Sequence, residues 1–341
     1  MKGNWTRLVL ALALIGCGSG GETGDFTRTG AMLTPRQDHT ATLLSNGQVL
    51  VAGGIARNAE VVGNPELYDP ATGSFAGVDG MMPRTSYTAT LLSNGKVLLA
   101  GGMGNGTSWD SAEIYDPVTN TFTPTGSLAF ERFSHTATLL PNGQVLVAGG
   151  ASEEELFDPA TGVFTATGTE TGEELDETAT LLADGKVLIA GGLADDLPQA
   201  RAQLYDPSTG TVTATGSMLT GRDAHTATLL KSGKVLIVGG GSYLASAEIY
   251  DPATGAFATT GSLASGRWHH TATLLPNGKV LIVGGCAIEP RAELYDPESG
   301  HFAAAGPLTT PRQWHTATLL TNNDVLIAGG NTVVPQAELY R

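Results

Sequence analysis

The chain has 341 residues, of which 46 are glycine, 41% are hydrophobic and only 15% are charged. This composition is typical of a turn-rich globular β protein and excludes a disordered chain and a coiled coil. The formal net charge of -15 repels phosphate backbones, which excludes general nucleic-acid binding.

The first 16 residues have the features of an export signal. Lys2 and Arg7 provide a positive start, and the apolar run Leu8 to Ile15 is too short to span a bilayer. Leu14-Ile15-Gly16-Cys17 resembles the lipobox of bacterial lipoproteins, in which the cysteine becomes the first residue and carries lipid. The resemblance predicts a lipid anchor at Cys17 and a flexible tether over residues 17–24. An ordinary secretory signal with a chance cysteine is the alternative.

The anchor would place the protein in the cell envelope, at the outer membrane or the cell surface. Gly18 after Cys17, where aspartate is absent, favours the outer membrane by resemblance to enterobacterial lipoproteins. Cys286 is the second of only two cysteines. If Cys17 is lipidated, no disulfide can form, so stability must come from the core.

A repeated unit fills the rest of the chain, residues 25–341. Thr-Ala-Thr-Leu-Leu occurs seven times, first at Thr40, and Ser45-Asn46-Gly47 then supplies the chemistry of a hairpin turn. A second apolar run ends in Gly53-Gly54, and a third strand leads into Asp69-Pro70-Ala71-Thr72-Gly73, a second turn sequence. Phe75 opens a fourth strand. Four antiparallel strands per unit predict one propeller blade for each copy.

This pattern resembles the kelch repeat, which combines a di-glycine after the second strand with aromatic residues in the third and fourth. The seven di-glycines begin at Gly53, Gly101, Gly149, Gly191, Gly239, Gly284 and Gly329. The third-strand aromatics are Tyr68, Tyr115, Phe157, Tyr205, Tyr250, Tyr295 and Tyr340. The resemblance implies an all-β, seven-bladed kelch-type β-propeller with four-stranded blades.

The two ends of the repeat region complement each other. The last copy stops at Tyr340-Arg341 without a fourth strand, while the segment from Phe26 to Gly30 matches the fourth-strand pattern that starts at Phe257. We therefore expect the N-terminal strand to complete the last blade, which closes the ring and removes exposed sheet edges.

Differences among the copies are concentrated in one connection. The distance from the second glycine to the third-strand aromatic varies between 7 and 14 residues, whereas the span from the Arg36 position to the second glycine is constant at 18. In an up-and-down blade this variable connection and the crossover between blades lie at the same end. Variable loops on a rigid scaffold predict a binding face there.

An arginine precedes the innermost strand of almost every blade, at the same end. These arginines are Arg36, Arg84, Arg132, Arg222, Arg267 and Arg312. In kelch adaptors that bind acidic peptides, arginines at this position contact the ligand, and the resemblance implies the same role here. The alternative is structural, with each arginine bonded to carbonyls of the neighbouring blade.

Blade four departs from the pattern, and aromatic residues lie near the same face. Glu174 replaces the arginine and Glu177 the histidine, which makes them candidates for an acid/base pair or a drifted repeat. Trp109 and Tyr243 lie in variable loops and are candidate ligand-stacking residues. For Trp268 and Trp314, which follow arginine positions, we favour core packing.

Metal and redox chemistry find little support in the sequence. Histidine recurs at one repeat position, as His39, His135, His225, His270 and His315, but equivalent positions of different blades are spread around a ring, so we expect structural histidines and no metal or cofactor. Galactose oxidase shares the kelch fold, but its copper site requires a tyrosine cross-linked to a cysteine, a second tyrosine and two histidines. No such set surrounds Cys286 in the sequence.

Together these observations predict a monomeric, non-catalytic binding propeller. Its arginine-rich face would bind a protein, peptide or glycan that carries acidic groups, and a lipid anchor would tie it to the membrane. The first alternative is an enzyme acting on an acidic sugar, similar to the kelch sialic acid mutarotases, with Glu174 or Glu177 as catalyst. The second is a purely structural surface protein.

Overall fold

The computed structural model describes residues 24–169, 174–285, 291–330 and 335–341. Within these ranges the regular structure is entirely β-strand and forms seven four-stranded antiparallel sheets. None of the described segments is a helix long and apolar enough to cross a membrane. The predicted signal segment, Cys17 and Cys286 lie outside the described residues.

The strands follow the order predicted from the repeat. The innermost strands of blades one to seven are Thr40–Leu43, Thr88–Leu91, Thr136–Leu139, Thr178–Leu181, Thr226–Leu229, Thr271–Leu274 and Thr316–Leu319. The second strands are Val49–Ala52, Val97–Ala100, Val145–Ala148, Val187–Ala190, Val235–Val238, Val280–Val283 and Val325–Ala328. The third strands are Glu66–Asp69, Ala112–Asp116, Glu155–Asp158, Ala202–Asp206, Ala247–Asp251, Arg291–Asp296 and Gln336–Tyr340. The outermost strands are Ser74–Gly77, Thr121–Pro124, Val163–Ala166, Thr211–Ala214, Ala256–Thr259, His301–Pro307 and, for blade seven, Phe26–Ala31.

Two turn sequences fix the register within each blade. In blade one, Gly47 has a φ of 86°, which glycine adopts without steric cost, and the N–H of Leu44 donates to the carbonyl of Gln48 at 2.8 Å. At the second turn, the Asp69 carboxylate accepts a hydrogen bond from the N–H of Ala71 at 2.8 Å. Both turns lie at the uniform end of the propeller, so the variable loops lie at the other end.

The N-terminal strand closes the ring, as predicted. Phe26 is paired with Tyr340, and their ring centroids are 5.1 Å apart. The N–H of Asp25 donates to the carbonyl of Arg341 at 3.1 Å. The seven innermost strands contact each other in cyclic order, including the first with the last, and they form the wall of a central channel.

The core consists of seven apolar clusters, each between two adjacent blades. The second strand of each blade is buried along its whole length because a neighbouring blade packs on both of its faces. Burial of each Val, Leu or Ile side chain contributes about 1.5–3 kcal/mol. The blades are therefore held together by repeated apolar contacts between neighbours.

Short ribbons extend from the variable end and were not predicted. Arg36–Gln37 pairs with Ile55–Ala56 in blade one. The ribbon Met103–Gly104 with Thr107–Ser108 lies in blade two, and Leu193–Ala194 with Leu197–Pro198 lies in blade four. These ribbons lie at the end of the propeller at which the innermost strands begin.

Candidate functional site

The six repeat arginines are buried inside their blades and not displayed at the channel mouth. Each guanidinium has essentially no exposed surface and forms an ion pair with a buried glutamate of the third strand, at 2.5 to 3.0 Å. The pairs are Arg36–Glu66, Arg84–Glu113, Arg132–Glu155, Arg222–Glu248, Arg267–Glu293 and Arg312–Glu338.

Backbone groups of the same blade complete each pair. Arg132 donates to the carbonyls of Gly149 and Glu153, and Glu155 accepts from the N–H of Ala129 in the preceding crossover. Each pair thus ties the crossover, the di-glycine and the third strand together. The expected arginine-rich face is corrected: these guanidinium groups are enclosed and cannot attract acidic groups to the surface. The structural alternative predicted that each arginine is bonded to carbonyls of the neighbouring blade. The carbonyls that the arginines contact belong to their own blade.

The repeat histidines form a second layer, between the blades. In five seams the Nε2 atom is hydrogen-bonded at 2.9 to 3.0 Å to the first threonine of the preceding blade. Burial lowers the pKa of His39, His135, His225 and His315 to about 3, so these side chains are neutral near pH 7. Each ring is directed at its neighbouring blade, and no group of three or more His, Cys, Asp or Glu side chains among the described residues could hold a metal ion.

At the channel mouth, seven residues form a closed hydrogen-bonded ring. They are the residues immediately before the histidine position of each blade, namely Asp38, Ser86, Ser134, Asp176, Ala224, His269 and Trp314. In six steps the N–H of one donates to the carbonyl of the previous one at 2.9 to 3.3 Å, and in the seventh the N–H of Ser86 donates to the Asp38 carboxylate at 3.1 Å. We call this set the mouth ring.

The backbone of the mouth ring is strained at every position. All seven residues have positive φ, between 45° and 56°, although none is glycine. Such conformations cost of order 1 kcal/mol each and cluster at functional sites. At the ~4.8 Å spacing of hydrogen-bonded strands, a ring of seven is about 11 Å across between Cα atoms. All seven side chains are half-buried, so they remain accessible from solvent.

Two carboxyl groups and one imidazole of the mouth ring can take part in proton transfer. The Asp38 carboxylate accepts hydrogen bonds from the Ser86 hydroxyl at 2.8 Å and from the Thr85 hydroxyl. Burial raises the pKa of Asp176, and the nearby Asp223 and Asp38 raise it further, while a hydrogen bond from Ser134 opposes them. A carboxyl group with a raised pKa at an accessible channel mouth is typical of a catalytic acid.

An aromatic wall covers one side of the mouth ring. The His269 ring lies 4.5 Å from that of Trp268 and 4.7 Å from that of Trp314, between centroids. Tyr243, which is 47% exposed, packs on Trp268 at 5.7 Å. Burial lowers the pKa of His269 to about 4, so its imidazole is neutral near pH 7. Flat aromatic faces beside polar groups suit the stacking of a sugar ring.

The predicted roles of the tryptophans are therefore reversed. Trp268 and Trp314, for which core packing was favoured, are half-buried at the mouth, and Trp314 is a member of the mouth ring. Trp109 instead packs over the guanidinium of Arg84 at 5.5 Å, with its Nε1 atom donating to the Thr107 hydroxyl. Of the two predicted stacking residues, only Tyr243 lies beside the mouth ring.

Glu174 and Glu177 lie in the seam between blades three and four and not in the mouth ring. Glu174 pairs with Arg201 at 2.5 Å, and both glutamates are only 6% exposed. Burial raises the pKa of Glu177 well above its ordinary value, and the charges of Glu174 and Glu154 raise it further. As an acid/base pair for an external substrate they are poorly placed, because Glu177 is enclosed.

Sequence reasoning missed Asp38, Asp176 and His269. A signal for them exists: the residue before the repeat histidine varies in type, whereas the Thr-Ala-Thr-Leu-Leu segment that follows the histidine position is identical in all seven copies. Variation at a fixed position of a rigid repeat indicates a surface that has specialised. The hydrogen bonds that join these residues run between different blades, so no local pattern reveals them.

Comparisons with known proteins agree with this architecture. The family model of the kelch motif matches residues 84–129. The fold is a seven-bladed kelch-type β-propeller. A search of curated proteins found no match. Among 1180 matching chains of solved structure is a novel fungal alcohol oxidase with catalytic diversity among the AA5 family, in complex with copper. It superposes with a TM-score of 0.79 at 19% identity, covering 93% of this chain and 76% of the oxidase chain.

This finding overturns the prediction of a non-catalytic binding module. The kelch neighbour in that comparison is an enzyme, and the arginine-rich face on which the binding prediction depended is enclosed. At 19% identity the likeness shows the fold alone. The described residues do not fit a copper centre, because His269 is the single histidine of the mouth ring and the repeat histidines are bonded to threonines. Cys286 lies outside the described residues.

Proposed function

We propose that the mouth ring is the active site of an enzyme that transfers protons on a neutral, polyhydroxylated substrate such as an aldose sugar. The observation that carries the proposal is the placement of two carboxyl groups in different surroundings on one strained ring. Asp38 is fixed as an acceptor by three hydrogen bonds, whereas Asp176 is half-buried and has a raised pKa. Such a difference is what distinguishes a base from an acid within one site.

The charge of the site favours a neutral substrate over an acidic one. Asp38, Asp176 and the neighbouring Asp223 are the acidic groups at the mouth, and the six repeat arginines are enclosed. Together with the net charge of -15, the Asp38 carboxylate repels an anionic sugar. Trp314, Trp268 and Tyr243 supply the apolar faces on which a sugar ring stacks.

Interconversion of sugar anomers is the simplest reaction for these groups. Asp176 donates its proton to the ring oxygen, Asp38 accepts the proton of the anomeric hydroxyl, and the bond between the anomeric carbon and the ring oxygen breaks. The open-chain aldehyde rotates, the same bond re-forms on the other face, and both protons return. Atoms and charge balance without a cofactor. Neutral His269 holds a sugar hydroxyl by a hydrogen bond.

Exchange spectroscopy of neutral aldoses tests the proposal directly. With the propeller present, anomeric exchange of at least one neutral aldose should be faster than in buffer, and Asp176→Asn should reduce the acceleration by about 100-fold or more. Asp79→Asn, an equal change of charge at an exposed crossover residue, should leave it unaltered. Equal rates with and without protein for all aldoses, or full activity of Asp176→Asn, would refute the proposal.

We further propose that Cys17 carries lipid and anchors the protein in the cell envelope, as its lipobox resemblance suggests. Full-length protein expressed in a bacterium should partition with membranes, and mass spectrometry of its N-terminal peptide should show an acylated cysteine. Cys17→Ala should shift the protein to the soluble fraction. Membrane association unchanged by this substitution would exclude the lipid anchor as its cause.

A further inference from the structure

Three departures from the repeat meet in the seam between blades three and four, and all three are glutamates. Glu174 occupies the arginine position, and Glu177 occupies the histidine position. Glu154 occupies a position three residues before the third-strand aromatic, where the other blades have alanine or proline. All three side chains are buried, and Glu174 and Glu154 lie close enough to raise the pKa of Glu177.

The ion pair of blade four is reversed in polarity. In the other blades an arginine at the first strand pairs with a glutamate of the third, but here Glu174 pairs with Arg201, which precedes the third strand. The position of the third-strand glutamate is held by Gln203. Arg201 has a side chain that is 44% exposed, whereas the guanidinium groups of the six regular pairs are enclosed. The cation that pairs with the buried glutamate of this blade is therefore partly exposed to solvent.

Each of the three glutamates keeps an unsatisfied oxygen. Glu154 Oε1, Glu174 Oε2 and Glu177 Oε1 are buried without a hydrogen-bond partner among the described residues. Glu174 and Glu177 are each 6% exposed and Glu154 is fully buried. An unpaired buried carboxylate oxygen costs free energy. These three oxygens are free to accept hydrogen bonds from a cationic or other donor group.

A surface pocket leads to Glu174. It is lined by Glu174, Leu175, Leu193, Ala194, Asp195 and Asp196. The two aspartates form the exposed tip of the blade-four ribbon, and both have positive φ, at 50° and 58°. Three of the six lining residues are therefore acidic, and the other three are apolar.

We propose that this pocket binds an organic cation with a guanidinium group, in the form of a small molecule or of an arginine side chain of a peptide. A guanidinium fits because Glu174 already pairs with that of Arg201, and because six other blades pair a guanidinium with a buried glutamate. Its flat faces can lie against Leu175 and Leu193 while its N–H groups donate to Glu174. No set of side chains in the described residues suits a metal ion, so a metal is the weaker candidate.

This site is separate from the mouth ring and does not depend on the proposed enzymatic function. Asp176 lies in the mouth ring. Glu174 instead lines the pocket beside the blade-four ribbon, together with Asp195 and Asp196. Loss of sugar exchange in the ring and loss of cation binding in the pocket can therefore be measured independently.

Titration calorimetry with agmatine provides the test, using the full propeller. Saturable binding is expected, and Glu174→Gln should weaken it by at least tenfold. Arg201→Ala should strengthen it, because the competing internal cation is removed. A purely structural role of the seam predicts destabilisation by Arg201→Ala with no gain in affinity, which would refute the proposal. Asp79→Asn serves as the charge-matched control and should bind like the unaltered protein.

A repair variant covers the case in which Glu174→Gln does not fold. Glu174→Arg combined with Gln203→Glu recreates the pair found in the other six blades, so this double variant should fold, melt at a higher temperature and no longer bind agmatine. Retained binding in it would overturn the proposal. An arginine-containing tripeptide binding more tightly than agmatine identifies a peptide as the source of the cation, and the reverse order identifies a small molecule. Binding of calcium chloride but not of agmatine would overturn the guanidinium assignment.

Discussion

The hydroxyl of Tyr87 is hydrogen-bonded to the hydroxyl of Thr40 at 2.8 Å, across the seam between blades one and two. In five other seams a histidine Nε2 atom occupies the same place at 2.9 to 3.0 Å. Tyr87 therefore replaces the repeat histidine without loss of the contact between blades. In the seam of Glu177 the threonine hydroxyl of Thr136 donates instead to the carbonyl of Ala148 in its own blade.

Tyr87→Phe should lower the free energy of unfolding by about 1–2 kcal/mol, because the Thr40 hydroxyl loses its partner while the packing of the ring is kept. Tyr87→His should cost less, since histidine restores the contact used in the other seams. Urea unfolding followed by fluorescence measures both. Tyr243→Phe removes a hydroxyl at a half-exposed site and should change stability little; an equal loss in both phenylalanine variants would contradict this assignment.

Arg132→Met should destabilise the propeller by about 3–5 kcal/mol, because it leaves Glu155 charged and unpaired in the interior. Adding Glu155→Gln should recover much of the loss, since the buried charge is then removed. Denaturant midpoints of the single and double variants give the coupling between the two residues.

Lys96→Met is the matched control for the arginine variant. Its ion pair with Asp116 is 3.0 Å long but lies at the surface, with the lysine side chain 43% exposed, so the expected loss is below about 1 kcal/mol. If Arg132→Met is no more harmful than Lys96→Met, the arginine pairs are not the internal ties described above.

The sequence was sufficient to predict the blades because each copy carries its own turns and its own apolar strand. The closing strand from Phe26 was predictable for the same reason, since it matches the fourth strand of other copies. The burial of Arg132 was not predicted, because its partner Glu155 belongs to a different strand of the blade. A signal was present, however: glutamate occurs two residues before the third-strand aromatic in every blade that has the arginine, and Gln203 replaces it where the arginine is absent.

The mouth ring could not be predicted from local sequence patterns, for a different physical reason. Asp176 and Asp38 are far apart in the chain and come together only because seven blades close into a circle. Six of the seven hydrogen bonds of the ring join backbone groups of successive blades, and the seventh is accepted by the Asp38 carboxylate. The raised pKa of Asp176 likewise arises from burial and from Asp223 and Asp38 after folding.

Phe26→Ala should destabilise the propeller by about 2 kcal/mol, less than the 3–5 kcal/mol of a fully buried phenylalanine because Phe26 is half-buried. It removes the contact with Tyr340 and part of the core between blades six and seven.

A chain beginning at residue 32 should lose far more stability than this substitution, because the third strand of blade seven then becomes an open edge that invites association. Thermal unfolding and light scattering measure the two effects, and Val118→Ala, at an 89% exposed position, is the control. Unchanged melting of the shortened chain would show that the ring does not need this strand.

Acid should weaken the fold well above the pH at which its carboxylates titrate. Burial lowers the pKa of four repeat histidines from 6.5 to about 3, and that of His270 well below 6.5. The unfolded chain therefore takes up protons that the folded chain refuses, so the stability is fully present above pH 6.5 and is lost as the pH falls from 6.5 towards 3. Each histidine contributes a slope of up to about 1.4 kcal/mol per pH unit.

His225→Gln separates this effect from general acid denaturation. Glutamine can keep a hydrogen bond to Thr178 but does not titrate, so the dependence of the urea midpoint on pH between 6 and 5 should become shallower by roughly one-sixth, the share of one histidine among the six whose pKa is lowered, His269 included. Glu177 acts in the opposite direction, because its raised pKa favours the folded state at low pH and disfavours it as the pH rises. Glu177→Gln should therefore steepen the loss of stability towards acid. If the urea midpoint of the unaltered protein does not change between pH 7 and 5, the histidines are not buried as neutral groups.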